Sequence, residues 1–411
     1  MLSQAGRLEL TNAVFTSLPT FYMCSLELPK VVIKQIDKYR KNCLWQGGEI
    51  NARKPPKAAW KLVCIAKKDG GLGVLDLGKQ NEALLLKNFF KFFNRLDIPW
   101  VNLIWEKYYS NDKLPNHTKK GSFWWRDNLK LLQKFKSLTT VKTEDGKTCL
   151  FWMDTWQQQP LADSVPELYS FAKNKAISIQ KALQYEDFSD MFHLPLSQTA
   201  LNQLLQVQND ASSIVLTESK DKWGFIWGSM LFSSARIYEE LVQHPAVHPA
   251  FRWIWKSPCQ PKHKVFFWLI LNDRLSTRNI LRRRNMTLQS YDCVLCNDAS
   301  EECLDHLFLN CSFAKQCWEV ILQVDIQQNS TFPSILPFIR DALQSEFHMV
   351  ATILLCWSIW SARNDWIFKG MHPDEASCRR VFFKELNLVS LRVKPSANDR
   401  FHSWMQNIQN F

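Results

Sequence analysis

Four cysteines and one histidine lie within the stretch YDCVLCNDASEECLDHLFLNC, residues 291 to 311. Cys293 and Cys296 form a C-x-x-C pair, and the turn between them lets two thiolates bind one tetrahedral zinc ion at about 2.3 Å. His306 and Cys311 could supply the other two ligands. Such a closed set of four leaves no position for a catalytic water. The spacing therefore predicts a structural Zn²⁺ site.

Spacing alone leaves a second ligand set open. In that set Cys303 joins Cys293, Cys296 and His306, and Cys311 is free. Two plainer interpretations also remain. A C-x-x-C pair can be a redox pair, although the thioredoxin-like strand and helix are missing around this one, and His306 can be a hydrogen-bonded histidine of the core.

A basic segment precedes this stretch. KVFFWLILNDRLSTRNILRRRN (264 to 285) is predicted as two helices broken near Asp273, the second capped by Ser276 or Thr277. Arginines spaced by four would share one face of that second helix and could bind phosphates. The alternative is a face that is merely solvated. The predicted nucleic-acid contacts are Lys262, Lys264, Arg274, Arg278, Arg282, Arg283 and Arg284.

Composition fits a folded chain that prefers polyanionic partners. Of 411 residues, 46% are apolar and 18 are Trp, which is ample material for a core, and the net charge of +12 favours nucleic acid. We predict a mainly α fold of several helical segments, with short β-hairpins at 142–156 and 223–239 and a small zinc-binding module. The Trp residues at 152, 223, 227, 253, 255 and 268 are expected in the core rather than as platforms for bases.

Four segments are predicted along the chain. Residues 1–110 form a helical segment, and residues 111–215 a Trp-rich linker region that opens on the polar stretch NDKLPNHTKKG. Residues 216–325 contain the zinc-binding module, and residues 326–411 form a carboxy-terminal helical segment. The polar stretch 206–222 marks the boundary between the two halves.

The sequence shows no recognisable catalytic motif. Polymerases hold two catalytic metals with paired aspartates at a tight turn, and FSDM (188 to 191), the nearest stretch, has a single acid. Asp154 is expected to serve a turn or cap. The start MLSQAGRLEL is too polar for a signal peptide, and the apolar run MVATILLCWSIW (349 to 360) is shorter than a membrane helix. We expect an intracellular protein of nucleus or cytoplasm, outside the membrane, with mostly free or metal-bound cysteines.

An ordered series of motifs resembles a known family. It comprises LSQAGRLELTNAVFTSLPTFYM (2–23), GGLGVLDLGKQNEALLLK (70–87), FWMDTW (151–156), HPAFRWIWKSPCQPKHKVFFWLILNDRLSTRNILRRRNM (248–286), CVLC (293–296), DHLFLNC (305–311) and CW (317–318). The series is similar to the carboxy-terminal region of reverse transcriptase polyproteins from plant LINE-type, non-LTR retrotransposons, which contains the reverse transcriptase zinc-binding domain.

The resemblance implies a ligand set and a function. The ligands would be Cys293, Cys296, His306 and Cys311, and residues 1–110 would be thumb-like. The polymerase palm, the endonuclease and a ribonuclease H domain would lie outside the chain. The leading hypothesis is a non-catalytic remnant that binds zinc and RNA or single-stranded DNA. The alternatives are a helical protein-interaction scaffold with structural zinc, whose partners the sequence does not name, or a decayed element without a selected function.

Overall fold

The computed structural model describes residues 2–47, 55–109, 114–115 and 121–410. Most of the stretch 111–121, predicted as a loop, therefore lies outside the described residues. The described residues form two compact units. The first is drawn from Met1–Ser17, Lys34–Leu75 and Gln243–Phe411, and the second from Leu18–Ile33 and Asp76–Val242. The four predicted segments and the boundary at 206–222 do not coincide with these units and stay a prediction.

The fold is mainly helical, as predicted. The α-helices are α1 (Gln4–Leu10), α2 (Thr20–Met23), α3 (Lys30–Gln46), α4 (Trp60–Val63), α5 (Leu77–Phe93), α6 (Pro99–Tyr109), α7 (Phe123–Leu129), α8 (Leu132–Ser137), α9 (Leu161–Ser164), α10 (Pro166–Ser170), α11 (Ile179–Ala182), α12 (Gln198–Ser212), α13 (Ser234–Leu241), α14 (Ala250–Lys256), α15 (Pro261–Leu271), α16 (Arg278–Arg283), α17 (Ser312–Leu322), α18 (Leu336–Leu343), α19 (His348–Lys369), α20 (Glu375–Ser390) and α21 (Asn398–Gln409). Short 3₁₀ turns span Lys67–Asp69, Phe188–Met191 and Pro395–Ala397, and π-helical turns span Thr11–Phe15 and His306–Asn310.

The part of the chain that the structure describes has two strands, which pair with each other and not within local hairpins. β1 (Thr139–Lys142) runs antiparallel to β2 (Lys222–Phe225), with Val141 opposite Trp223. The hairpins predicted at 142–156 and 223–239 are therefore wrong in their pairing. β2 is followed by the helix α13 instead of a second strand.

A distant carboxylate explains why the D-G turn makes no hairpin. Asp221 accepts hydrogen bonds from the backbone N–H groups of Glu144, Gly146 and Thr148 at 2.8 to 2.9 Å, and from the Thr148 hydroxyl at 2.8 Å. These bonds satisfy the donors that a partner strand would otherwise take.

The predicted turn role of Asp154 is confirmed. One of its carboxylate oxygens accepts from the Leu150 backbone N–H at 2.7 Å, and the other pairs with Lys136 Nζ at 2.5 Å. Both ionic side chains are buried. Burial raises the pKa of Asp154, and the Lys136 ammonium opposes that rise.

Aromatic rings dominate the core of the second unit. The rings of Phe92 and Trp105 stack with centroids 4.4 Å apart, and Phe93 lies 4.5 Å from Trp223. Of the six Trp residues expected in the core, Trp152, Trp223 and Trp268 are buried. The other three, at 227, 253 and 255, are half-buried.

The core of the first unit is built around α15 and α19. The predicted apolar helix after residue 264 is confirmed, because Val265–Ile270 is buried throughout. The run 349–360 is likewise a mostly buried part of α19, which ends at Gly370 in the left-handed conformation (φ 66°). No single helix among the described residues is long and apolar enough to cross a membrane; α18 and α19 meet that standard only as a pair, bent by 114°.

His263 on α15 is a buried imidazole that stays neutral. Burial lowers its pKa to about 3, and the neighbouring Lys262 ammonium adds to the effect. Glu385 Oε2 lies 3.4 Å from Nε2, but the other oxygen of that carboxylate pairs with Lys262 Nζ at 2.8 Å. The carboxylate charge is therefore already compensated.

This histidine should make the first unit sensitive to acid. An unfolded histidine has a pKa near 6.5. Below that pH the unfolded state binds a proton at this side chain, and the folded state does not. The loss of stability develops as the pH falls from about 6.5 towards 3 and reaches about 2 kcal/mol at pH 5. Urea denaturation should show that the loss of unfolding free energy between pH 7.5 and pH 5 is about 2 kcal/mol smaller in His263→Gln than in the unmodified protein. The exposed His372→Gln serves as the control, and equal losses in both variants would contradict the assignment.

Candidate metal centre

The first two cysteines of the cluster lie on a small hairpin. Asp292 and Glu301 form an antiparallel bridge, and the Cys293 N–H donates to the Ser300 carbonyl at 2.8 Å. The chain reverses between them, with Ala299 in the left-handed conformation (φ 47°). This reversal places Cys296 between the two arms of the hairpin, with its sulfur within 4.8 Å of the Cys293 sulfur.

The other two ligands come from the turn that follows. His306 begins the π-helical turn His306–Asn310, and the Cys311 N–H donates to the His306 carbonyl at 2.7 Å. Cys311 is also the N-cap residue of α17. The turn thus directs an imidazole and a thiol back towards the hairpin.

Four donor atoms converge, one each from Cys293, Cys296, His306 and Cys311, and all lie within 4.8 Å of one another. Cys293 Sγ is 3.9 Å from Cys311 Sγ, and Cys296 Sγ is 3.3 Å from His306 Nε2. Tetrahedral zinc with usual bond lengths would separate two sulfurs by about 3.8 Å and a sulfur from a nitrogen by about 3.6 Å. The donor set therefore fits one tetrahedral metal ion.

Cys303, the alternative ligand, has a different contact. Its sulfur accepts the His306 backbone N–H at 3.3 Å, and its carbonyl accepts from Leu307. Both contacts are typical of a residue that caps the start of a helical turn. The geometry thus assembles the first of the two predicted ligand sets.

The thiols need a cation before they can ionise together. The neighbouring Cys311 thiol and burial raise the pKa of Cys293 well above its usual range, and burial raises the pKa of Cys296 to about 11. The thiolate is the form that binds metal, so a divalent ion would compensate the charges that these surroundings disfavour.

An acid beside the cluster adds support. A hydrogen bond with Cys296 holds the pKa of Asp298 below its ordinary value. The same carboxylate accepts the Ser312 N–H at 3.4 Å and so links the hairpin to the start of α17. Contacts of this kind orient the ligands of metal sites.

A buried ion pair lies beneath the hairpin. Glu302 and Arg363 form a bidentate pair, with Nη2 to Oε1 at 2.7 Å and Nε to Oε2 at 3.2 Å. Both side chains are at most 5% exposed. Glu302 also accepts the Arg278 backbone N–H at 3.0 Å, so one carboxylate joins the hairpin, the start of α16 and α19.

Sequence reasoning missed this pair. Glu302 stands between cysteines, and Arg363 lies 61 positions later in WSARNDWIF. The sequence signal is an arginine that follows a long apolar run, which predicts a partner but does not name it.

The expected arginine row does not lie on one helix face. The break near Asp273 is confirmed, and this residue has a φ of 49°. Thr277 is the N-cap residue, although its hydroxyl makes no capping bond, and α16 begins only at Arg278. Arg274 therefore lies in the turn before the helix. The predicted spacing of four along one helix is wrong for it.

All seven predicted nucleic-acid contacts bind protein groups, and four of them are half-buried. Lys262 pairs with Glu385, and Lys264 donates to the Trp255 carbonyl at 3.1 Å. Arg278 donates to the Ser290 and Asp292 carbonyls of the hairpin, and Arg284 to the Lys57 carbonyl.

The other three are exposed. Arg282 pairs with Glu301 at 2.9 Å, and Arg283 with Asp273 at 3.0 Å. Among the described residues, Arg274 bonds only to the Asp273 backbone carbonyl, at 3.2 Å. These three cations form the exposed arginine group beside the metal centre.

Comparisons with known proteins agree with this geometry. Residues 232–318 match the family described as zinc-binding in reverse transcriptase. The chain is 26% identical over 365 residues to an Arabidopsis thaliana protein named "Putative ribonuclease H protein"; the match covers 83% of this chain and 56% of that relative. An uncharacterized mitochondrial protein of the same plant is 27% identical over 143 residues, which are 34% of this chain and 92% of that protein. The chain thus spans little more than half the length of the first of these two proteins. Residues 232–318, which include all four clustered ligands, form a region related to the zinc-binding region of reverse transcriptases.

Proposed function

We propose that this chain is a non-catalytic, zinc-stabilised part of a plant LINE-type reverse transcriptase lineage that binds RNA or single-stranded DNA. The convergence of three thiols and one imidazole carries the proposal. All four positions of a tetrahedral ion would be taken by protein atoms, so the zinc would be structural.

The zinc would fix the surface that bears the arginines. It would tie the hairpin to the start of α17, and Arg278 is bonded to two carbonyls of that hairpin. Arg282 pairs with Glu301 at the far end of the same hairpin. Ordering the hairpin would therefore order Arg282 and the start of α16, where the exposed arginine group begins its helical part.

Phosphates can compete for the exposed arginine group. Exposed ion pairs contribute about 0–1 kcal/mol, so a phosphate can replace Glu301 or Asp273 at little cost. The surplus of 12 positive charges in the chain acts in the same direction. Such contacts would bind the strand without reading its sequence.

Salt titration tests the proposal. The chain should retain a single-stranded oligonucleotide at low salt, with log affinity falling as log salt rises. Arg274, Arg282 and Arg283 replaced together by Gln should reduce the magnitude of that slope by about 2, since each phosphate contact on a single strand contributes about 0.7. Filter binding from 20 to 300 mM KCl provides the measurement.

A matched triple variant controls for net charge. Lys369, Arg380 and Lys384 are exposed in the same unit, and their replacement by Gln removes the same charge elsewhere. An absence of retention at low salt, or equal loss in both triple variants, would contradict binding at the exposed arginine group.

The internal contacts of Lys262, Arg278 and Arg284 favour a second candidate, a helical scaffold for a protein partner. These cations already bind protein groups. In that case the triple variant at the exposed arginine group would leave the partner complex intact, and nucleic acid would not be retained.

All 12 cysteines are free of disulfides. We therefore propose a reducing compartment, the nucleus or the cytoplasm.

A further inference from the structure

A cavity of about 600 Å³ opens in the first unit. Its walls come from the end of α14, the first turn of α19 and the segment after α20, whose lining residues include Trp255, Phe347 and Arg392. Lys264 of α15 completes the lining. None of these residues is a metal ligand or belongs to the exposed arginine group, and the volume is that of a small-molecule site.

Four positively charged side chains line this cavity without an acidic partner in the described part of the chain. Lys256, Lys264, Arg392 and Lys394 line it, and none of them has an acidic partner among the described residues. The carboxylate in the wall, Glu346, pairs instead with Arg400 at 2.7 Å.

The electrostatics at Lys264 show the same imbalance. Burial lowers the pKa of Lys264, the nearby Cys259 opposes this shift, and the cations Arg392 and Lys67 lower the pKa further. Mutual repulsion of this kind is relieved when an anion binds between the cations. The cavity is therefore suited to a negatively charged group.

Flat aromatic surface lies beside these cations. Trp253, Trp255 and Phe347 line the cavity, and the two indoles are half-buried. Lys67 Nζ lies 5.0 Å from the centroid of the Trp255 ring, which places positive charge at an aromatic face. Indole rings stack on bases of any sequence, because every base has a π face.

The first turn of α19 contributes in the same sense. This helix is 22 residues long, and its N-cap residue Phe347 and its first residues His348, Met349 and Val350 line the cavity. The amino-terminal end of a helix carries partial positive charge and favours anions. It supplements the side-chain cations.

We propose that this cavity binds one nucleoside phosphate unit, with the base against the indole of Trp253 or Trp255 and the phosphate between Lys264, Arg392 and Lys394. The unit can be a free nucleotide or the phosphorylated end of a single strand. The site is separate from the exposed arginine group, so it does not depend on strand binding there.

Calorimetric titration of the full zinc-loaded chain with AMP tests the site. We expect saturable 1:1 binding, at least tenfold tighter than that of adenosine or of inorganic phosphate. The double variant Arg392→Gln/Lys394→Gln should weaken AMP binding at least tenfold. Arg392 and Lys394 are both exposed, so this variant should fold. The control variant Arg380→Gln/Lys384→Gln on α20 removes the same charge and should leave AMP binding unchanged.

A second arm distinguishes the two sources of the ligand. A ten-nucleotide oligoadenylate with a 5′-phosphate is compared with its 5′-hydroxyl form, both in the triple variant of the exposed arginine group. Preference for the phosphorylated strand over AMP, lost in Arg392→Gln/Lys394→Gln, identifies a strand end as the ligand. The reverse preference identifies a free nucleotide. Absence of AMP and strand-end binding, equal binding of phosphate alone, or insensitivity to the double variant would overturn the proposal.

Discussion

Replacing Cys311 by serine is expected to abolish tight binding of one zinc ion per chain and to destabilise the first unit by several kcal/mol. Cys311 is buried and caps α17, and its sulfur lies 3.9 Å from Cys293 Sγ. A hydroxyl cannot replace a thiolate as a zinc ligand, and zinc contributes about 10 kcal/mol or more to the folding of isolated knuckles. Metal analysis after exchange against a chelator measures the first effect, and thermal unfolding of the zinc-loaded protein measures the second.

The neighbouring Cys303 offers a matched control. It belongs to the same stretch, but its sulfur accepts the His306 backbone N–H at 3.3 Å. Serine can accept that bond equally well. Cys303→Ser should therefore keep one zinc ion, with a change in stability below about 1 kcal/mol. Loss of zinc from this variant, with retention in Cys311→Ser, would show that the ligand set is the alternative one.

Replacing Glu302 by glutamine is expected to cost about 3–5 kcal/mol of unfolding free energy. The change leaves the Arg363 guanidinium buried and uncompensated, and removal of one partner of a buried ion pair has a cost of this size. It also weakens the bond that Glu302 accepts from the Arg278 backbone N–H at 3.0 Å. Urea denaturation at pH 7 with zinc in excess gives the measurement.

Two further variants isolate the charge effect. Glu302→Gln combined with Arg363→Met removes both charges and should be less destabilised than Glu302→Gln alone, because no unpaired charge remains. Arg400→Gln breaks an exposed pair with Glu346 and should cost at most about 1 kcal/mol. A cost for Glu302→Gln no larger than that for Arg400→Gln would show that the pair does not hold the hairpin on α19.

The metal centre could be predicted only in part from the sequence. Cys293 and Cys296 are close in the chain, so their shared geometry follows from one turn. The choice between Cys303 and Cys311 depends on how the chain turns after His306. Spacing does not encode the π-helical turn His306–Asn310, which sends Cys311 towards the hairpin, while the Cys303 sulfur accepts the His306 backbone N–H.

The strands show a similar division. The sequence predicts short strands within 142–156 and 223–239, and the D-G turn at Asp145 and Gly146 predicts a local hairpin in the first of these stretches. The turn at Asp145 and Gly146 is bound by Asp221, about 75 positions away. Local patterns carry no information about such a distant acceptor. The pairing of β1 with β2 therefore could not be predicted from local sequence patterns.

The prediction of an arginine row along one helix face was wrong because of the local backbone conformation. A spacing of four places residues on one face only if the helix is continuous. The left-handed conformation of Asp273 delays the start of α16 to Arg278, and Arg274 is left outside. The charges that remain exposed could be recognised only once their partners were known.

X-ray absorption at the zinc edge of the purified 411-residue chain tests the central claim most directly. The account predicts one zinc per chain with three sulfur neighbours at about 2.3 Å and one nitrogen at about 2.0 Å. The nitrogen contribution should disappear in His306→Ala. A folded chain that binds no zinc, or a zinc ion whose shell contains fewer than three sulfurs, would contradict it.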